Sequence, residues 1–100
     1  MLFKPILKDP GAALDYKFDW GSDTHRGLAW LQPGETIAAR TVTADAGIVK
    51  EWDEITDAGK SVTVFLSGGT AGTQYTVTCS ITTNLSRTDV RRMTIDVRER

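Results

Sequence analysis

Apolar and polar residues alternate one for one through Tyr75-Thr-Val-Thr-Cys-Ser-Ile-Thr82 and again through Met93-Thr-Ile-Asp-Val-Arg98. A period of two in β-branched and aromatic residues predicts a half-buried antiparallel hairpin, with Tyr75, Val77, Cys79, Ile81, Met93, Ile95 and Val97 on its buried face. All seven positions are odd, so facing pairs must sum to an even number; an even loop would send the two apolar sets to opposite faces. The simplest solution is the three-residue loop Leu85-Ser86-Arg87, which sets Cys79 against Met93, Val77 against Ile95 and Tyr75 against Val97. A bulge near Val90 would accommodate an even loop instead.

The same reading places other strands upstream. Leu14, Tyr16, Phe18 and Trp20 alternate with Asp15, Lys17 and Asp19. Residues 35–43 form a second strand whose apolar phase slips between Ile37 and Val42, which predicts a bulge. Ile48 to Trp52 is a third, and Ser61 to Leu66 a fourth, with Val62, Val64 and Leu66 inward and Phe65 on the other face. Pro33-Gly34, Asp45-Ala46-Gly47 and Ser67-Gly-Gly-Thr-Ala-Gly72 are turns. Residues 53–59 read as a polar connection. No segment carries a helical period, so helices are expected to be absent or a single turn.

Residues 1–13 read as an extended arm, punctuated by Pro5, Pro10 and Gly11 and made adhesive by Phe3, Ile6 and Leu7. Such an arm either lies on its own domain or a neighbour, or frays. Residues 14–100 form one domain of about seven short strands, with turn signals every eight to twelve residues, as in an all-β antiparallel sandwich. A barrel is the competing architecture. Tyr75, just after the glycine corner, occupies the place of the tyrosine corner of immunoglobulin- or fibronectin-III-like sandwiches, whose hydroxyl bonds back to the preceding turn.

Composition narrows the function. The chain has 100 residues, one cysteine and one histidine, so an intrachain disulfide and a Cys/His zinc site are both excluded. A lone cysteine points to folding in a reducing compartment. With 12 basic and 13 acidic residues the net charge is −1, no footprint for nucleic acid or an anionic membrane. The first eight residues are too short and interrupted for a signal peptide, so export by a standard signal is not expected.

Candidate chemistry is sparse. His25 lies in a polar loop with no nucleophile motif beside it and reads as a surface residue. Cys79 is on the apolar face of a strand and reads as core. Glu51, Asp53, Glu54 and Asp57 are oxygen donors without a calcium-loop spacing, and read as a solvated acidic turn. The glycine-rich corner lacks the lysine and following helix of a phosphate loop. The arginines crowding the last strand alternate with acids, which suits a charged edge or a protein-facing one. No catalytic residue, cofactor or metal site is expected. Of Trp20, Trp30 and Trp52, one or two should fill the core, and one partly exposed beside the arm would mark a contact surface. The residues proposed to meet partners are Phe3, Ile6, Leu7, Trp52, Arg98 and Arg100.

Lys8-Asp9-Pro10, Leu14-Asp-Tyr-Lys-Phe-Asp-Trp20, Gly34-Glu-Thr-Ile37, Val62-Thr-Val-Phe-Leu-Ser-Gly-Gly-Thr-Ala-Gly72, Tyr75-Thr-Val-Thr-Cys79, Arg87-Thr-Asp89 and Val97-Arg-Glu-Arg100 run through nearly the whole chain in order. In these the chain resembles the bacteriophage fiber–tail adaptor family of small virion structural proteins. The resemblance implies an immunoglobulin-like virion component, assembled in the bacterial host cytoplasm without disulfides. It implies a tail or connector adaptor attaching fibers to the tail, in multiple copies in a symmetric assembly with other virion proteins. Neither nucleic acid nor membrane is an expected partner. The competing readings are a capsid decoration or head–tail connector protein, and a carbohydrate-binding or adhesion module that would use Trp52, between Glu51 and Asp53, as its platform.

Overall fold

The computed structural model describes residues 6–9, 11–21 and 30–98. Seven strands follow one another: β1 (Ile6–Lys8), β2 (Leu14–Asp19), β3 (Ile37–Ala44), β4 (Ile48–Thr56), β5 (Ser61–Gly68), β6 (Thr73–Thr83) and β7 (Thr88–Val97). The expected single helical turn is a 3₁₀ turn, Asp57–Gly59. One sheet has the order β1-β7-β6-β3 and the other β2-β5-β4. All neighbours are antiparallel except β1, which runs parallel to β7. With β1 set aside, a three-stranded layer of order 2-5-4 packs against one of order 7-6-3, a β-sandwich.

The two sheets meet through the alternating positions. Phe18, Trp20, Ile48, Val62, Val64 and Leu66 from one sheet pack against Ile37, Val42, Tyr75, Val77, Cys79, Ile81, Ile95 and Val97 from the other, with Leu31 closing one end. Met93 is half-buried against this core. The Tyr75 hydroxyl accepts a hydrogen bond from the Thr70 amide at 2.9 Å, the corner its position predicts. The ring leaves no room beside it. A Cβ on Gly69 (φ +98°) would come within 2.7 Å of Val97 Cγ2 and 3.4 Å of the Tyr75 ring, so this corner needs glycine for its backbone and for its space.

The hairpin register differs from the expected one. Tyr75 faces Ile95, Val77 faces Met93 and Cys79 faces Arg91. The sum is even, as alternation requires, but the pairing is displaced by two residues along β7. The loop is three residues long but starts one earlier, at Asn84-Leu85-Ser86, because the Thr83 amide bonds the Arg87 carbonyl at 2.8 Å. Ser86 takes the left-handed conformation (φ 62°) that completes such a loop. The Thr83 hydroxyl accepts from the amides of Leu85 and Arg87, both at 3.2 Å.

One further expectation needs correction. β4 runs on to Thr56, so Asp53 and Glu54 lie in a strand and not in a connection. The bulge in β3 falls between Ile37 and Ala39, as the slipped phase predicts, but β4 has a second one between Lys50 and Trp52. The described part of the arm, β1, lies on its own domain, with Ile6 opposite Ile95, Leu7 opposite Asp96 and Lys8 opposite Val97.

Candidate protein interface

The second bulge decides where Trp52 points. Ile48 faces the core, and a regular strand would turn Lys50 and Trp52 to the same side. The extra residue, Glu51, reverses the phase, so that Trp52 comes to lie opposite Phe65, on the outer face of the sheet. There the two rings stack, with centroids 5.4 Å apart and planes 10° from parallel. Trp52 remains 44% exposed. Phe65 is in turn opposite Asp15 on β2, so one row across this sheet reads Trp52, Phe65, Asp15. Val49, also exposed, lies opposite Ser67 on the same face. The Ser67 hydroxyl donates to the Glu51 carboxylate at 2.7 Å.

Asp53 falls on the opposite side, toward the seam between the sheets. Arg40 Nε reaches its carboxylate at 2.8 Å and Lys50 Nζ at 2.6 Å. Lys50 also donates to the Val42 carbonyl at 3.3 Å. Burial pushes the Asp53 carboxyl up, and Lys50 and Arg40 more than reverse this, leaving it below its ordinary value. Asp57 pairs with Lys17 at 3.0 Å. The four acids therefore separate between the outer face, the seam and the 3₁₀ turn, and among the described residues no group of three or more His, Cys, Asp or Glu could hold a metal ion.

The other end of the sandwich is held by a buried polar cluster. Glu35 is fully buried, and Arg87 grips it with Nε on Oε2 at 2.8 Å and its second nitrogen on Oε1. The Thr83 hydroxyl donates to Oε2 at 2.6 Å and the Gln32 amide to Oε1 at 2.9 Å. The same guanidinium lies 4.1 Å over the Trp30 ring and donates to the Trp30 carbonyl at 2.9 Å. One strand register further on, Trp20 Nε1 donates to Asp89 at 2.9 Å and Arg91 lies 4.8 Å over the indole. Arg91 also donates to the Asp19 carbonyl at 2.7 Å. A groove of about 380 Å³ beside this cluster is lined by Gly21, Leu31, Gln32, Pro33, Gly34, Glu35 and Lys60. Arg87 holds the Glu35 carboxyl down at about 2, so it stays ionised and paired and is no proton donor near neutrality.

Of the predicted interface residues, the described ones do not gather in one place. Trp52 is on the outer face of β2-β5-β4, whereas Ile6 and Leu7 are in β1 at the edge of the other sheet. The exposed tryptophan is therefore not beside β1, the described strand of the arm. Arg98 is exposed and pairs with Asp96 at 2.8 Å, while its amide donates to the Lys8 carbonyl at 2.8 Å. Phe3, Arg100 and His25 lie outside the described residues. Cys79 is buried, and burial pushes its thiol up to about 12, so it is no nucleophile.

A family model described as podophage GP4 fiber-tail adaptor protein gp77 matches residues 8–96. The chain belongs to this family. No curated protein matches it. Membership makes it a bacteriophage protein of the tail-adaptor class, built on an all-β sandwich. The match starts at Lys8, the residue that ties β1 to the domain. Lys8 is buried, and its ammonium donates to the carbonyls of Gly68 at 2.6 Å and Asp9 at 2.9 Å. Pattern reading missed both Lys8 and Glu35, whose partners lie 60 and 52 residues away along the chain.

Proposed function

We propose that this chain is a non-enzymatic virion protein that attaches fibers to the phage tail, repeated in several copies of a symmetric assembly put together in the host cytoplasm. The observation that carries this reading is the family match over residues 8–96. The geometry is in keeping with it: the buried Glu35 carboxylate is used to hold strands and loops in place, and Trp52 stands exposed on a sheet face, stacked on Phe65. A sandwich with an exposed aromatic on one sheet face suits contact with other proteins better than turnover of a substrate.

Particles made with the gene deleted provide the test. They should contain heads and tails but lack fibers, and supplying the chain in trans should restore fiber attachment. Fibers present on the deletion particles would overturn the adaptor role, and loss of the chain from heads instead of tails would favour a capsid decoration or head–tail connector protein. His25→Ala should complement as well as the natural chain.

A further inference from the structure

The outer face of β2-β5-β4 carries uncompensated negative charge around its aromatic pair. Asp15 flanks Phe65 on one side, Glu54 follows Trp52 by two residues on the same face, and Glu51 occupies the bulge. Among the described residues none of these three carboxylates forms an ion pair. The neighbouring cations are already engaged: Lys17 by Asp57, and Lys50 and Arg40 by Asp53. From β4 to β2 is two strand spacings, about 10 Å, within which exposed like charges still repel at moderate salt. Phe65 covers one side of the indole, and the exposed remainder is a ring whose electron-rich surface attracts cations. A neutral sugar laid on this platform would leave the repulsion in place. A cationic side chain relieves it and gains the ring.

We propose that this face docks a protein segment carrying several Lys or Arg side chains, one cation lying on the Trp52 indole and others facing Asp15, Glu51 and Glu54. The proposal rests on the adaptor reading only in taking the natural partner to be a virion protein.

The purified chain titrated with a tetra-arginine peptide, followed by NMR, tests it. The signals of Trp52, Phe65 and Glu54 should shift together, and added salt should weaken binding. Trp52→Ala keeps every charge, so nonspecific attraction would survive it; binding through the ring should weaken about threefold. The double variant E51Q/E54Q keeps the ring and should weaken binding at least as much. Both positions are exposed, and the unchanged spectrum of the buried core signals reports that each variant folds. Binding unaffected by Trp52→Ala overturns the proposal. So do shifts at these signals with a chitin tetrasaccharide but not the peptide, which would make the face a sugar platform, and concentration-dependent shifts of the chain alone, which would make a second copy the occupant. Fiber attachment in particles is scored separately, so a face that binds no cation leaves the adaptor role standing, and fiber-bearing deletion particles leave the peptide result standing.

Discussion

Arg87 holds the buried carboxylate of Glu35 across 52 residues of chain, joining the loop before β3 to the hairpin between β6 and β7. A buried ion pair of this kind fixes geometry more dependably than it adds stability, because both ions lose their hydration. Here the carboxylate also accepts from Thr83 and Gln32, and the guanidinium also donates to Trp30. The network is closed, and it sets the path of the chain at that end of the sandwich.

A pH dependence follows. Arg87 chiefly, against the opposing effect of burial and with help from Gln32 and Thr83, lowers the Glu35 carboxyl from 4.5 to about 2. A group with a depressed folded value binds fewer protons in the folded state, so its contribution is whole above about 4.5 and is lost as pH falls toward about 2. Urea midpoints measured across that range should drop for the natural chain. Glu35→Gln should start lower at neutral pH and fall less steeply on acidification. Parallel slopes for the two proteins would show that other carboxyls govern acid unfolding.

The two tyrosines predict opposite responses to removal of a hydroxyl. Tyr75 accepts from the Thr70 amide, whereas the Tyr16 hydroxyl is buried with no hydrogen-bond partner among the described residues. Tyr75→Phe should lower the melting temperature by stranding the Thr70 amide. Tyr16→Phe should leave it unchanged or raise stability by about 1 kcal/mol, since a buried unsatisfied group is removed. Thermal melts of the two variants side by side decide this; equal losses would mean that Tyr16 has a partner.

In the core, Val77 and Cys79 are both fully buried on β6. Val77→Ala should leave a cavity and cost about 2 kcal/mol. The thiol of Cys79 should be inert to a bulky reagent in the folded protein and reactive only after unfolding. Labelling that outpaces global unfolding would place Cys79 at a surface. At the corner, Gly69→Ala should cost about 1–3 kcal/mol through backbone strain, on top of its collision with Val97.

Alternation disclosed the strands and the inward set on β6 and β7 because a half-buried sheet imposes a period of two on each strand separately. It also disclosed the Tyr75 corner, a contact only five residues long. It did not disclose phase across a bulge: Trp52 and Ile48 are in step in the sequence and on opposite faces in the sheet. Nor did it fix which even register the hairpin adopts, since that rests on Ser86 accepting a left-handed backbone. Lys8 and Glu35 were unreadable for another reason. An isolated charged residue belongs in water by default, and only a partner distant in sequence makes burial tolerable. The candidate interface was therefore legible as Trp52 alone; the Phe65 stack and the acidic surround came from pairing.

The arm gives the last prediction. Among the described residues of the arm, Ile6–Lys8 pair with β7, and Lys8 adds its ammonium to the Gly68 carbonyl. Burial lowers the lysine's affinity for its proton, which the nearby Asp9 charge partly restores, so this tie is retained at the cost of desolvating a cation. The core residues described run from Phe18 to Val97. Deleting residues 2–9 should therefore leave a folded, cooperative, less stable sandwich. It should also uncover the β7 edge at Ile95–Val97, and an open edge invites pairing between chains. Sedimentation should show the truncated chain associating with concentration while the full chain does not. In particles, the truncated chain should be incorporated poorly if neighbours dock on the arm. Normal occupancy together with a monomeric truncated chain would show that β1 neither guards an edge nor makes a contact, and would leave the outer face of β2-β5-β4 as the surface through which the domain joins its assembly.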